Sequence, residues 1–146
     1  MTQEDRDLLI KDLCARLPYG VKCAYFNTKE ELKVGELLTV WCKEKRVFID
    51  KLSIDYDGCD HIGVIPYLFP LSSMTKEQES YMYFNTKFNI DRFDTITPKI
   101  DEDDSPMYVD MEDWLELFDW FNKNHFDYRG LILKGLALDA TGKNIY

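Results

Sequence analysis

The stretch Asp110–Tyr128, DMEDWLELFDWFNKNHFDY, is the most strongly periodic part of the chain and also its densest concentration of acid. With Met111 onward helical, Met111, Trp114, Leu115, Phe118 and Phe121 share one stripe at the i, i+3, i+4, i+7 spacing of a core-facing helix. Asp110 is placed to cap the first turn. Glu112 and Asp113 sit where the positive end of the helix dipole favours carboxylates. Gly130 follows a few residues beyond the expected end. The pattern predicts a spine helix on which the other elements pack.

The charge of this stretch decides what kind of partner the chain suits. Residues 101–120 carry nine acidic side chains and no Lys or Arg. Set those nine aside from the chain's 27 and the 18 acids left are matched by 18 Lys and Arg, so the whole net charge of −9 belongs to one segment. A nucleic-acid backbone calls for a basic face, which argues against direct nucleic-acid binding. A basic protein partner suits the segment, as does a plain solvated edge.

The remaining elements read in order. Residues 3–17 form a first helix, with Leu9, Leu13 and Leu17 every fourth position, Thr2 as cap and Asp5 as the reciprocal member of a capping box. Pro18 and Gly20 stop it. Val21–Phe26 reads as a strand and Thr28–Glu31 as one helical turn. Gly35–Cys42 and Arg46–Asp50 form a hairpin, and Leu52–Tyr56 adds a short strand ended by Asp57-Gly58. His61–Pro70 carries two prolines, which predicts an edge strand followed by a packed loop. Thr75 and Gln78 make a second capping box opening a helix to about Phe84. Residues 85–106 have no period and read as the long loop. The glycines of RGLILKGLALDATGKNIY predict an irregular, packed tail.

The expected architecture is α+β in a single domain over 1–146. A small, mostly antiparallel sheet from residues 20–65 packs against three helices, with an irregular C-terminal tail. There is no run of about 18 apolar residues and so no expected membrane span. The N-terminus is charged rather than signal-like. Cys14, Cys23, Cys42 and Cys59 show neither CxxC spacing nor a disulfide-rich setting, so reduced thiols in a cytoplasmic protein are expected. Cys14, Cys23 and Cys42 are expected to be buried, leaving Cys59 beside its turn as the reactive one.

Three phrases carry a resemblance: LIKDLCARLPYGVK (Leu9–Lys22), PYLFPLSSMTKEQ (Pro66–Gln78) and NHFDYRGLILKGLALDA (Asn124–Ala140). The chain resembles in them a family of short uncharacterised proteins from gut bacteria and their phages. The resemblance implies a small intracellular protein encoded by a phage or mobile element. It carries over no fold, ligand or functional residue.

Candidate site residues each have a second reading. His125 falls back on the apolar stripe; beside Asp127 it has the makings of an acid–base group, and at a helix C-terminus those of a capping or core histidine. Asp55, Asp57, Asp60 and His61 crowd one turn, but Gly58 comes too early for an EF-hand and a β-turn explains it without metal. No phosphate loop, G-x-S-x-G or HExxH occurs, so no cofactor, metal or catalytic residue is assigned. Trp120 points away from the Met111/Leu115/Phe118 stripe, among Asp113, Glu116 and Lys123. It suits an interface anchor or a ring covered by the 85–106 loop or the tail. Tyr128 and Arg129 form a polar–aromatic pair that either binds or ties the tail to the sheet. The leading expectation is a non-enzymatic interaction protein whose acidic–aromatic surface meets a basic protein, as an inhibitor would. The alternatives are a small enzyme or ligand-binding domain using His125, Asp127, Tyr128 and Arg129, and a structural accessory subunit.

Overall fold

The computed structural model describes residues 1–27, 29–43, 45–50, 52–55, 63–91 and 93–146. The protein is α+β, with three helices, a six-stranded mixed sheet that is mostly antiparallel, and a separate two-stranded hairpin among the described residues. No helix among them is long and apolar enough to cross a membrane. The chain gathers into two compact units, one of Met1–Leu68 with Arg129–Tyr146, the other of Phe69–Tyr128.

The first unit opens with α1 (Gln3–Arg16). The Asp5 amide donates to Thr2 Oγ1 and the Thr2 amide to the Asp5 carboxylate, both at 3.1 Å, so the capping box forms as read. The Thr2 hydroxyl holds the Asp5 carboxyl below its ordinary range. A 3-10 turn at Leu17–Tyr19 ends at Gly20. Strands β1 (Lys22–Phe26), β2 (Leu32–Trp41), β3 (Arg46–Ile49) and β4 (Leu52–Asp55) follow as an antiparallel meander, with β5 (Val64–Leu68) on the other side of β1.

Three expectations change here. Thr28 of the expected helical turn lies outside the described residues, and Lys29–Glu31 form a side-chain-capped turn: Asn27 Oδ1 accepts from the amides of Lys29 (2.9 Å) and Glu31 (3.0 Å), and Glu30 takes a left-handed backbone. Asn offers the backbone a local acceptor that competes with helix. β5 is not an edge strand. The order is β4-β3-β2-β1-β5-β8, where β8 (Leu138–Asp139) comes from the tail and pairs in parallel with Tyr67 and Leu68 alone. Pro66 pairs with Cys23 on the β1 side and has no β8 residue opposite it, so the missing N–H breaks no rung there. The sheet therefore runs to Leu68 and recruits 138–139. The Asp57-Gly58 turn, Cys59, Asp60 and His61 lie outside the described residues.

Gly35 meets a close approach. A Cβ on it would lie 2.2 Å from Asp50 Oδ2 and 2.7 Å from Ile49 Cγ2. That space lets the Asp50 carboxylate accept from the Tyr25 hydroxyl at 3.2 Å and the Glu36 amide at 3.4 Å.

The core of this unit is aliphatic: Leu9 and Leu13 of α1, Val21, Leu37, Val47, Ile49, Val64 and Leu68 of the sheet region, and Leu131 and Leu136 of the tail. Asp12 and Arg16 are fully buried within the unit as a two-bonded pair, Nε to Oδ2 at 2.7 Å and Nη2 to Oδ1 at 3.0 Å. The tail is tied by Tyr146, whose hydroxyl donates to the Tyr67 carbonyl (2.7 Å) and accepts from the Lys22 amide (3.1 Å).

The second unit contains α2 (Lys76–Asn85), the hairpin β6 (Phe88–Ile90) with β7 (Ile96–Pro98), and α3 (Met111–Lys123). The presumed loop 85–106 thus holds a hairpin whose three-residue strands are too short to show a period. Both helices start with capping boxes, Thr75 with Gln78 and Asp110 with Asp113. α2 ends without glycine. Lys99 helps to cap it, its ammonium donating to the carbonyls of Met82 (3.4 Å), Thr86 (2.6 Å) and Tyr83. The core here is largely aromatic: Leu71, Met82, Phe88, Leu117, Phe121 and Phe126, with Trp114, Phe118, Trp120 and Tyr128 around it. α3 is the spine of this core, whose members all come from Phe69–Tyr128.

The thiols also depart from expectation. Cys23 is buried, but Cys14 on α1 and Cys42 just after β2 are exposed, and their sulphurs lie 3.6 Å apart.

Candidate functional site

The sequence stripe on α3 is rotated from the face the structure buries. Leu117 and Phe121 are buried and Trp114 and Phe118 half-buried, whereas Met111 is 72% and Leu115 61% exposed. At about 100° per residue this turns the core face by roughly a quarter turn. It brings Trp120 to the core side and leaves Met111 and Leu115 outside. The cause is the neighbour: α2 offers Tyr81, which stacks on Trp120 at 5.2 Å with the rings 5° apart, and Phe126 stacks on Trp120 from beyond the helix at 5.6 Å. Trp120 is half-buried, and the rings against it belong to α2, to α3 itself (Phe121) and to Phe126.

Of the seven residues singled out in sequence, three line one small cleft. Asp113, Glu116 and Trp120 share about 130 Å³ with Tyr81 and Lys87. Lys87 Nζ lies 2.8 Å from Asp113 Oδ2, and this bond, with the Asp110 amide, holds the Asp113 carboxyl below the usual carboxylate range. Asp113 Oδ2 therefore serves twice, capping the helix and pairing with Lys87, while Glu116 is exposed.

The other four lie on the segment that follows α3. His125 is buried and leaves the helix in a left-handed conformation (φ 58°), with its carbonyl accepting from the Phe69 amide at 2.9 Å. Asp127 donates its amide to the Phe69 carbonyl at 2.8 Å, completing a parallel bridge around Phe126. Tyr128 stacks on Phe118 (5.0 Å) and Phe121 (5.4 Å). Arg129 belongs to the first unit, with Nη1 3.7 Å from Asp12 Oδ1. Through these contacts the segment closes a helix, pairs a backbone and sets a guanidinium beside a buried carboxylate.

Sequence reasoning missed two features. One is a pocket of about 390 Å³ in the second unit, with Leu71, Met74, Met82 and Phe88 among its apolar lining and Glu79 and Asp94 among its polar lining. The titratable groups of its lining are Glu79, Asp91, Asp94 and Tyr83. Asp91, also in the lining, accepts from the amides of Phe93 (2.8 Å) and Thr95 (2.9 Å), which hold its carboxyl low and commit it to the hairpin turn. The other is the outer face of α3 and the strand-like approach to it. Tyr108 (82% exposed), Met111 and Leu115 stand beside Glu112, Glu116 and Asp119, all exposed. Among the described residues no cluster of three or more His, Cys, Asp or Glu has the arrangement of a metal site. Comparison with family models, curated proteins and solved structures finds no match to this chain.

Proposed function

We propose that the protein is a non-enzymatic interaction protein that captures a basic, amphipathic segment of a protein partner on the outer face of α3. The observation that carries this reading is the exposure of Tyr108, Met111 and Leu115 within a segment of nine carboxylates and no Lys or Arg. Apolar side chains at i and i+4 on a helix face give an anchor for the apolar side of such a segment. Glu112, Glu116 and Asp119 flank it with charge that speeds encounter and fixes orientation. Eight of the nine acids are exposed, and Lys87 meets the half-buried ninth, Asp113. A cytoplasmic setting, and an origin in a phage or mobile element where such a protein would act as an inhibitor, complete the proposal. It needs neither nucleic acid nor membrane nor cofactor.

A second reading, a small ligand-binding domain, rests on the 390 Å³ pocket rather than on His125–Arg129.

The test is a fluorescence anisotropy titration with a labelled helical peptide carrying Lys and Arg on its polar face, and a Glu-substituted peptide as control. The basic peptide should bind, and the control should not. Met111→Ser with Leu115→Ser, and separately Glu112→Gln with Glu116→Gln and Asp119→Asn, should each weaken binding about tenfold. Salt should weaken it further, because exposed charges are screened beyond about 8–10 Å. Binding unchanged in both variants removes this face from the account. Loss only on filling the pocket, by Met82→Trp, favours the ligand-binding reading.

A further inference from the structure

Cys14 and Cys42 are the described thiols that sequence reading placed in the core and the structure places at the surface. They come from distant parts of the chain, 28 residues apart, yet their sulphurs are 3.6 Å from each other. The proximity is imposed from below. Leu13, the residue before Cys14, is fully buried in the same aliphatic core against which Val40 of β2, two residues before Cys42, is packed. Both sulphurs ride on anchored elements, and a disulfide at about 2.05 Å requires them to close by only about 1.5 Å. Side-chain rotation at two exposed positions covers such a distance.

We propose that Cys14 and Cys42 form a modification site, a dithiol that a small-molecule disulfide oxidises to an intramolecular bond joining α1 to the end of β2. Two thiol–disulfide exchanges accomplish it. The thiolate of Cys42 attacks one sulphur of the oxidant RSSR, forming a Cys42–SR mixed disulfide and expelling RS⁻. The Cys14 sulphur then attacks Cys42 Sγ, forms the Cys14–Cys42 bond and expels the second RS⁻. The two thiol protons end on the two leaving thiols, so the dithiol loses two electrons and two protons and RSSR gains both. The order follows from the protonation of Cys14. Partial burial, with the hydrogen bond to Cys42 second, pushes its thiol up to about 11, so it enters as the resolving partner. Once Cys42 carries SR, that hydrogen bond no longer holds the proton on Cys14. Cys23 is an internal control, since burial raises its thiol further and shields it from any reagent. In a reducing compartment such a pair stays reduced and registers an oxidising shift. This inference is independent of the partner-binding reading.

Native protein is equilibrated with oxidised and reduced glutathione, quenched with an alkylating agent and mapped by mass spectrometry. The expected digest contains a cross-linked Cys14–Cys42 peptide two hydrogens lighter than its two parts, with Cys23 unmodified and any adduct on Cys59 scored apart. The Cys14→Ser variant should instead accumulate a glutathione adduct on Cys42, and should need at least about 100-fold more oxidised glutathione for half modification, because ring closure exploits a high effective concentration. Separate adducts on both thiols with no cross-link overturn the proposal. So does half modification of Cys14→Ser at the same glutathione ratio as the parent protein.

Discussion

The two units solve the same problem with different materials. Around the six-stranded sheet the buried side chains are mainly Leu, Val and Ile, and the unit holds a fully buried Asp12–Arg16 pair as well. Around α3 the core is Phe88, Phe121 and Phe126 with Trp and Tyr rings stacked at its margin. Branched aliphatic residues suit a pleated surface whose neighbours are fixed by backbone pairing. A two-stranded hairpin and two helices provide far less of that scaffold, and large rings gain more burial per ordered residue. The sheet unit buries its polarity as an ion pair on α1, while the helical unit buries Asn122, His125 and Asp127 at and just after the end of α3 and leaves eight of the nine acids of 101–120 exposed.

The largest expected effect tests the buried pair. Arg16→Ala leaves Asp12 buried beside Arg129 Nη1 at 3.7 Å, and should cost about 4–5 kcal/mol in urea melts. Asp12→Leu combined with Arg16→Met should recover most of that loss, since paired removal leaves no orphaned charge. Should the single variant lose less than about 1 kcal/mol, Arg129 is holding the carboxylate by itself and the contrast between the units weakens.

Next comes the aromatic core. Phe121→Ala, at a fully buried position, should cost about 3–4 kcal/mol; Phe118→Ala, half-buried, about 1–2 kcal/mol. Met111→Ala and Leu115→Ala should stay within about ±0.5 kcal/mol. Denaturant midpoints ranking Met111 or Leu115 above Phe121 would restore the stripe read from sequence.

The smallest effect concerns the rim. Lys87 lowers the folded-state pKa of Asp113, so their pairing contributes fully above about pH 4 and disappears as pH falls through the lowered folded value. Lys87→Met should therefore reduce Tm by at most about 2 °C near pH 6, and the difference should vanish toward pH 2. A gap that persists at pH 2 assigns the effect to packing of the lysine stem instead.

Local chemistry was legible in the residues themselves. Thr2 with Asp5 and Thr75 with Gln78 announce their helices because a capping box is complete within four positions. The α+β class and the β2–β3 hairpin follow from alternation and turn residues. What stayed hidden depends on partners far away in sequence. Nothing near Trp120 reveals that Tyr81 will stack on it, so the hydrophobic stripe alone chose the wrong edge of α3. Cys14 and Cys42 look apolar in their local contexts, and only the packing of α1 beside β2 brings them together at the surface. The β6–β7 hairpin is too short to carry a period, and two-residue β8 has no signal apart from its partner β5. His125 and Asp127 stand out in the sequence by side-chain type, and nothing local shows that their backbones bond to either side of Phe69.

Lys99 adds a distant tie to the end of α2, which its own Thr86 hydroxyl already caps at the Met82 carbonyl (2.8 Å). A helix that ends on glycine can lose its last turn alone, amide by amide, on the timescale of fraying. Here the closing carbonyls of Met82, Tyr83 and Thr86 are gripped by an ammonium one residue past β7. The lifetime of that turn is thus borrowed from the hairpin, and solvent protons reach its amides only when the strand pair lets go as well.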